Sequence, residues 1–167
     1  HIKKVEAATK TMAAIVKESR CGQARAYFKA GYNCCQAVAM TYSDVLGMNP
    51  DEVARISAGF GGGFGRMREV CGCVSGMTMV AGAIRPFTNP DIQQDKAANY
   101  SLVQELAAEY RAVNGSIICR ELLEGVRDAT DSPVPSERTA EYYRKRPCVE
   151  LCAIAAGILA DRLAAEA

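Results

Sequence analysis

The sequence predicts an all-α protein, a single-domain multi-helix bundle with a glycine-rich loop between two of its helices. Three observations lead there. Apolar residues recur with a helical period almost everywhere, the β-branched alternation that makes strands is scarce, and helix start and stop signals punctuate the chain. With 167 residues and 49% hydrophobic content, the chain can build a full core in one domain without disulfide staples.

The first helix is expected over Lys3 to Glu18, with Ile2, Val5, Met12, Ile15 and Val16 along one stripe. A short helix over Gln23 to Lys29 follows, closed by Gly31 in a left-handed cap. Asn33 reads as an N-cap with Gln36 three residues on, a capping box that opens a helix running through Val38 and Tyr42 to Leu46, where Gly47 stops it. Asn49-Pro50-Asp51-Glu52 combines a cap, a proline in the first turn and acids at the positive helix end, and opens a helix to about Ala58. Gly59 to Gly65, GFGGGFG, is too rich in glycine for a helix interior and is predicted to be a bent connection.

Helix resumes near Glu69 and runs to Ile84, ahead of Arg85-Pro86. The next spans Asp95 to Val113, its stripe made of Tyr100, Val103, Leu106 and Tyr110, and Asn114-Gly115 closes it. Ser116 is placed to cap a short helix from Ile117 to Leu123, residues 125–137 are the most loop-like stretch, and the last helix runs from about Pro147 to Leu163. No fixed-period repeat and no interdomain linker stands out.

The chain holds eight cysteines and one histidine, His1. Metal or redox chemistry must therefore run through thiolates, and serine or cysteine catalysis with a histidine partner is excluded beyond residue 1. The N-terminal stretch is charged and amphipathic and does not read as a signal peptide, so a reducing cytoplasm is the expected location. No apolar run is long enough to span a bilayer. Twenty basic against nineteen acidic residues give no electrostatic reason to expect nucleic acid as a partner.

Cys34 follows the cap Asn33, Cys148 follows Pro147, Cys119 lies in the first turn after Ser116, and Cys71 stands close to the start of its own helix. Unpaired amides and the macrodipole stabilise a thiolate at a helix entry, the physical route to a nucleophilic or metal-binding cysteine. One buried cysteine is usually plain packing, but four at helix entries point to chemistry. The others are less informative. Cys35 diverges from Cys34 by about 100° on a helix, and Cys73 from Cys71 by about 200°, so that pair chelates together only where the helix is not yet regular. Cys148 and Cys152 share a face at i, i+4. Cys21 beside Gly22 reads as a helix boundary. Gly72 and Gly76 share a face, leaving room for a neighbouring helix or for a cofactor beside Cys71. The glycine loop with Arg66 and Arg68 lacks the GK[ST] ending of a P-loop and follows no strand. Paired acids such as Asp51-Glu52 read as caps and solvated faces.

GYNCCQAV at 31–38, GGGFGRMREVCGCVSG at 61–76, NGSIICRELL at 114–123 and RPCVELC at 146–152 resemble the C_GCAxxG_C_C family of redox proteins. The segments are also similar to the module that precedes the haem-binding part of split-Soret cytochromes, where an iron–sulfur site has been suggested. The resemblance implies a redox role without a settled substrate, with Cys34, Cys71, Cys119 and Cys148 as the four signature cysteines. The chain departs from the pattern with Cys73 where the CGAxxG form has alanine and with the added Cys35 and Cys152, which leaves a larger ligand set open. It has no CxxCH for haem.

Three functions follow. An iron–sulfur cluster held by Cys34, Cys71, Cys119 and Cys148 would serve electron transfer with a redox partner, four thiolates without histidine suiting that chemistry. Zinc is a lesser variant, since short CxxC knuckles are missing. The alternative is a metal-free dithiol/disulfide oxidoreductase using the same cysteines, and the third reading is a helical interaction module with inert thiols. Glycine-bearing helix faces also make a homodimer plausible.

Overall fold

The computed structural model describes residues 2–126 and 132–166, and the protein is all-α. Residues 127–131, inside the stretch expected to be loop, lie outside the described residues, as does His1.

The first 28 helical residues form one helix, α1 (Ile2–Lys29), where the sequence suggests a break between Glu18 and Gln23. The break does not occur because Cys21 is buried against the last helix, where a methyl group on Gly157 would stand 3.2 Å from its Sγ. Burial at that contact outweighs the helix cost of about 1 kcal/mol for the adjacent Gly22. Ion pairs Lys17–Asp161 (2.7 Å) and Arg25–Glu150 (3.0 Å) fix α1 antiparallel to the last helix. The buried side of α1 is Cys21, Ala24 and Phe28. The stripe Ile2, Val5, Met12, Ile15 and Val16 is exposed instead, and at Ile2 and Val5 the N-terminal end of α1 runs past the end of its antiparallel partner.

The Asn33 capping box forms as expected and opens α2 (Cys34–Thr41), with Asn33 Oδ1 accepting from the Gln36 amide and Gln36 Oε1 from the Asn33 amide, each 3.0 Å. α2 does not continue to Leu46. Arg20 donates to the Thr41 carbonyl at 2.6 Å and Ser43 Oγ to that of Met40 at 2.7 Å, and the chain bends at Tyr42 before a single turn, α3 (Ser43–Leu46). Gly47 ends it in the left-handed region, and Asn49 opens α4 (Pro50–Ser57) with a second capping box.

Asn33 also donates through Nδ2 to the Ala58 carbonyl at 2.8 Å, which ties the entry of α2 to the start of the glycine loop. Replacing Asn33 with alanine is expected to lower stability by about 1–2 kcal/mol through loss of the cap. The urea midpoint of the variant measures it.

After the loop come α5 (Gly72–Ile84), α6 (Gln93–Asn114), α7 (Cys119–Leu122), α8 (Ala140–Lys145) and α9 (Cys148–Glu166). α5 starts three residues later than its apolar pattern suggests, because residues 69–71 are engaged elsewhere. The Cys71 amide donates to the Ile117 carbonyl (2.8 Å), the Cys119 amide donates to that of Glu69 (2.7 Å), and Val70 pairs with Ile118 in an isolated antiparallel bridge. α6 buries Leu102, Leu106 and Tyr110, while Tyr100 is exposed and packs edge-on against Phe87. Ser116 does not cap a helix at Ile117. Its Oγ accepts from the Ile118 amide (2.9 Å), and α7 begins at Cys119. α8 has no counterpart in the apolar pattern, though Thr139, whose Oγ1 accepts from the Tyr142 amide at 3.1 Å, is its start signal.

The main core gathers Phe28, Val38, Tyr42, Met77, Leu106, Tyr110 and Leu159 from α1, α2, α5, α6 and α9. Within it the Tyr42 hydroxyl donates to the Ala156 carbonyl at 2.6 Å, which satisfies the buried phenol. A methyl group on Gly76 would stand 2.9 Å from Val38 Cβ, so α5 and α2 approach closely only because Gly76 has no side chain.

Candidate functional site

Four helix starts converge on one cavity. Cys34 is the first residue of α2, Cys119 of α7 and Cys148 of α9, and Cys71 is the N-cap residue of α5 (φ −54°, ψ 134°). All four line a cavity of about 400 Å³ that also includes Gly72, the glycine loop, Arg68, Arg138 and Arg146. Cys34 is half-buried and the other three are buried.

The glycine loop shapes one wall. Gly62, Gly63 and Gly65 have positive φ, and so do Phe64, Arg66 and Arg68, which are held there by the Arg68 amide donating to the Gly62 carbonyl (3.1 Å) and Glu69 to Gly63 (2.8 Å). Left-handed backbone at non-glycine residues persists only where surroundings enforce it, and such strain gathers at functional sites. It brings the buried Arg68 guanidinium to 3.7 Å from Cys119 Sγ. Behind the cavity, Tyr110 Oη lies 3.3 Å from Cys71 Sγ.

Cys73 and Cys152 form a second layer of sulfur. Both are fully buried, their Sγ atoms lie 3.7 Å apart, and with Cys34 they make a group of three whose sulfurs all lie within 4.8 Å of one another, a triad able to hold a metal. Because Cys71 precedes the helix, it and Cys73 are neighbours despite the angle a regular helix would put between them. Cys35 turns away, its Sγ 3.8 Å from Met79 Sδ, and Cys21 packs against α9. Gly72 lines the cavity, where a methyl group would stand 3.1 Å from Cys34 Cβ, whereas Gly76 meets Val38. All eight cysteines are free thiols.

The thiols are unequal. Cys34 is held well below the usual thiol range, first by a hydrogen bond from Cys148 and then by Cys152 and Cys73. Those three are correspondingly pushed up, Cys73 and Cys148 chiefly by donating hydrogen bonds and Cys152 chiefly by burial. Cys71 is lowered by Cys73 foremost, with Tyr110 adding to it. Burial raises Cys119 against the opposing effect of Arg68, and pushes Cys35 up to about 12. The thiolate is most strongly favoured at Cys34, at the N-terminus of α2, with Cys71 lowered beside it. In reduced, metal-free protein, iodoacetamide is expected to modify Cys34 ahead of the other cysteines. A depressed pKa keeps the thiolate populated as pH falls, so its rate should persist below the ordinary thiol pKa of about 8.5. Peptide mass spectrometry across a pH series checks this.

Sequence reasoning did not identify Arg138, Arg146 or Tyr110 as site residues. Tyr110 reads as one more apolar position of α6, and the two arginines come from the segment around α8, which carries little apolar signal. Arg138 stacks over the Phe28 ring at 4.1 Å and donates to the Phe28 and Tyr32 carbonyls, anchoring that segment at the cavity.

Fold and site together define a helical protein with a buried multi-thiol centre. A family model described as "Putative redox-active protein (C_GCAxxG_C_C)" matches residues 32–162, and the chain belongs to that family. No curated protein and no solved structure matches the chain. Among the described residues, no helix is long and apolar enough to cross a membrane.

Proposed function

We propose that Cys34, Cys71, Cys119 and Cys148 hold an iron–sulfur cluster and that the protein carries electrons through it. The supporting observation is that these four cysteines, brought from four helix starts, line a single cavity. The donor set fits the group: thiolates favour iron–sulfur clusters, and no histidine follows residue 1. When bound, the cluster would supply a one-electron couple.

The chain's own residues support such a centre. Arg68 sets a positive charge beside Cys119, offsetting the negative charge of gathered thiolates. Tyr110 offers its hydroxyl to Cys71, and hydrogen bonds to ligand sulfur favour the more negative, reduced state. Gly72 and Gly76 let α5 lie against α2, which sets Cys71 beside Cys34. Leu122, Leu123 and Leu151 line the cavity and limit access of water.

Anaerobic purification tests the reading. Brown protein with visible charge-transfer absorption and stoichiometric iron and sulfide supports it, and colourless, iron-free protein contradicts it. The 3.7 Å approach of Cys73 and Cys152 favours one second reading, a dithiol that closes to a disulfide by a small shift. Metal-free protein that gains and loses one disulfide at a defined potential would select it.

A further inference from the structure

We propose that Cys34, Cys73 and Cys152 form a metal subsite of their own, in which one thiophilic ion is held by three thiolates behind the cavity. The inference deepens the reading above, because Cys34 also belongs to the cavity-lining set. It concerns two sulfurs that a four-cysteine cluster leaves unused.

Three points carry it. The first is spacing: metal–sulfur bonds of about 2.3 Å in a tetrahedral thiolate site place sulfurs about 3.8 Å apart. Cys73 and Cys152 stand at 3.7 Å, and Cys34 completes a triangle with no side above 4.8 Å. Little movement is needed to bring one ion within bonding distance of all three.

The second is support. Cys73 sits in the first turn of α5 and Cys152 in the second turn of α9, both long helices packed into the main core, and Cys34 begins the capped helix α2. A site built on helices holds its geometry better than one built on loops. The third is chemistry. A lone buried cysteine is ordinary packing, but here three helices aim their sulfurs at one point in a region without a histidine or a carboxylate among the grouped ligands. An all-thiolate, water-poor site selects soft cations over magnesium or calcium. Three thiolates around a divalent ion leave one negative charge, which the N-terminus of α2 at Cys34 helps to offset.

The test uses the reduced, metal-free full chain titrated anaerobically with Cd²⁺, read by ultraviolet thiolate-to-metal absorption and by cadmium retained after desalting. Cys71→Ser/Cys119→Ser removes two cavity ligands and keeps the triad. It is expected to retain one tightly bound Cd²⁺ per chain. Adding Cys152→Ala in that background is expected to weaken binding at least a hundredfold, and Cys73→Ala, read as a second variant, should do the same. Far-ultraviolet circular dichroism selects the variants that remain folded.

Failure of Cys71→Ser/Cys119→Ser to bind cadmium would overturn the subsite, as would unchanged affinity after loss of Cys152 or Cys73. Iron in anaerobically purified protein reports separately on the four-cysteine cluster. Colourless wild-type protein whose triad still binds cadmium would sink the cluster alone, and brown protein whose triad does not would sink the subsite alone.

Discussion

Replacing Cys71 with serine is expected to strip iron from the protein at least tenfold while leaving its helices in place. Cys71 caps α5, its carbonyl accepting from the Val74 and Ser75 amides at 2.9 and 3.1 Å and its own amide donating to Ile117 at 2.8 Å. These bonds are backbone bonds and survive the substitution. Its sulfur makes no capping bond, whereas serine is among the preferred N-cap residues, so the start of α5 should be unharmed. A serine oxygen in the same place can also keep the contact with Tyr110, now 3.3 Å from the sulfur. What it cannot do is bind a soft metal as a thiolate does. Iron per chain, visible absorption and far-ultraviolet circular dichroism, measured anaerobically on one preparation, check the prediction. Full iron content in the variant would remove Cys71 from the ligand set.

The second large effect is on folding. Gly63→Ala is expected to destabilise the protein by about 3 kcal/mol or more. Gly63 has φ 71°, where an alanine costs about 1–2 kcal/mol. Its methyl group would also stand 2.6 Å from Cys119 Cβ, 2.7 Å from the Glu69 amide nitrogen and 2.8 Å from Arg68 Cα. Two of those three atoms are backbone, so the loop or α7 must move, at an overpacking cost of about 1–3 kcal/mol. The movement would carry Cys119 away from the cavity. Gly65→Ala is the internal control: its φ is 59° but the nearest atom stands 3.9 Å away, so only the backbone cost of about 1–2 kcal/mol applies. Urea midpoints of the two variants should therefore separate clearly, with Gly63→Ala the lower.

The legible features are those carried by local physics. The capping box at Asn33 is legible because a side chain three residues away either reaches the cap or does not, and the helix start at Asn49 is legible from its cap, its first-turn proline and its acids. Gly47 and Gly115 end helices in the left-handed region because few other residues adopt it at low cost. The placement of Cys34 and Cys148 at helix starts follows from the same local signals, whereas Cys119 begins α7 without the Ser116 cap that the sequence offers for it. α8 went unread because its stability comes from Arg138 stacked on Phe28 and from rings of α8 itself, and such contacts leave no apolar period. Period alone puts Tyr100 on the apolar stripe of α6, yet it lies at the exposed edge of the face that buries Leu102, Leu106 and Tyr110.

By itself the sequence determined an all-α chain, the main helix stops, and sulfur as the available ligand, since composition and short-range backbone chemistry are fully written in it. Tertiary structure alone decided that α1 stays unbroken through Gly22, that residues 69–71 bond to the 117–119 segment before α5 begins, and that Cys73 and Cys152 lie beside Cys34 while Cys35 faces Met79. Each of those outcomes depends on distances between residues far apart in the chain, which packing sets and no local pattern encodes.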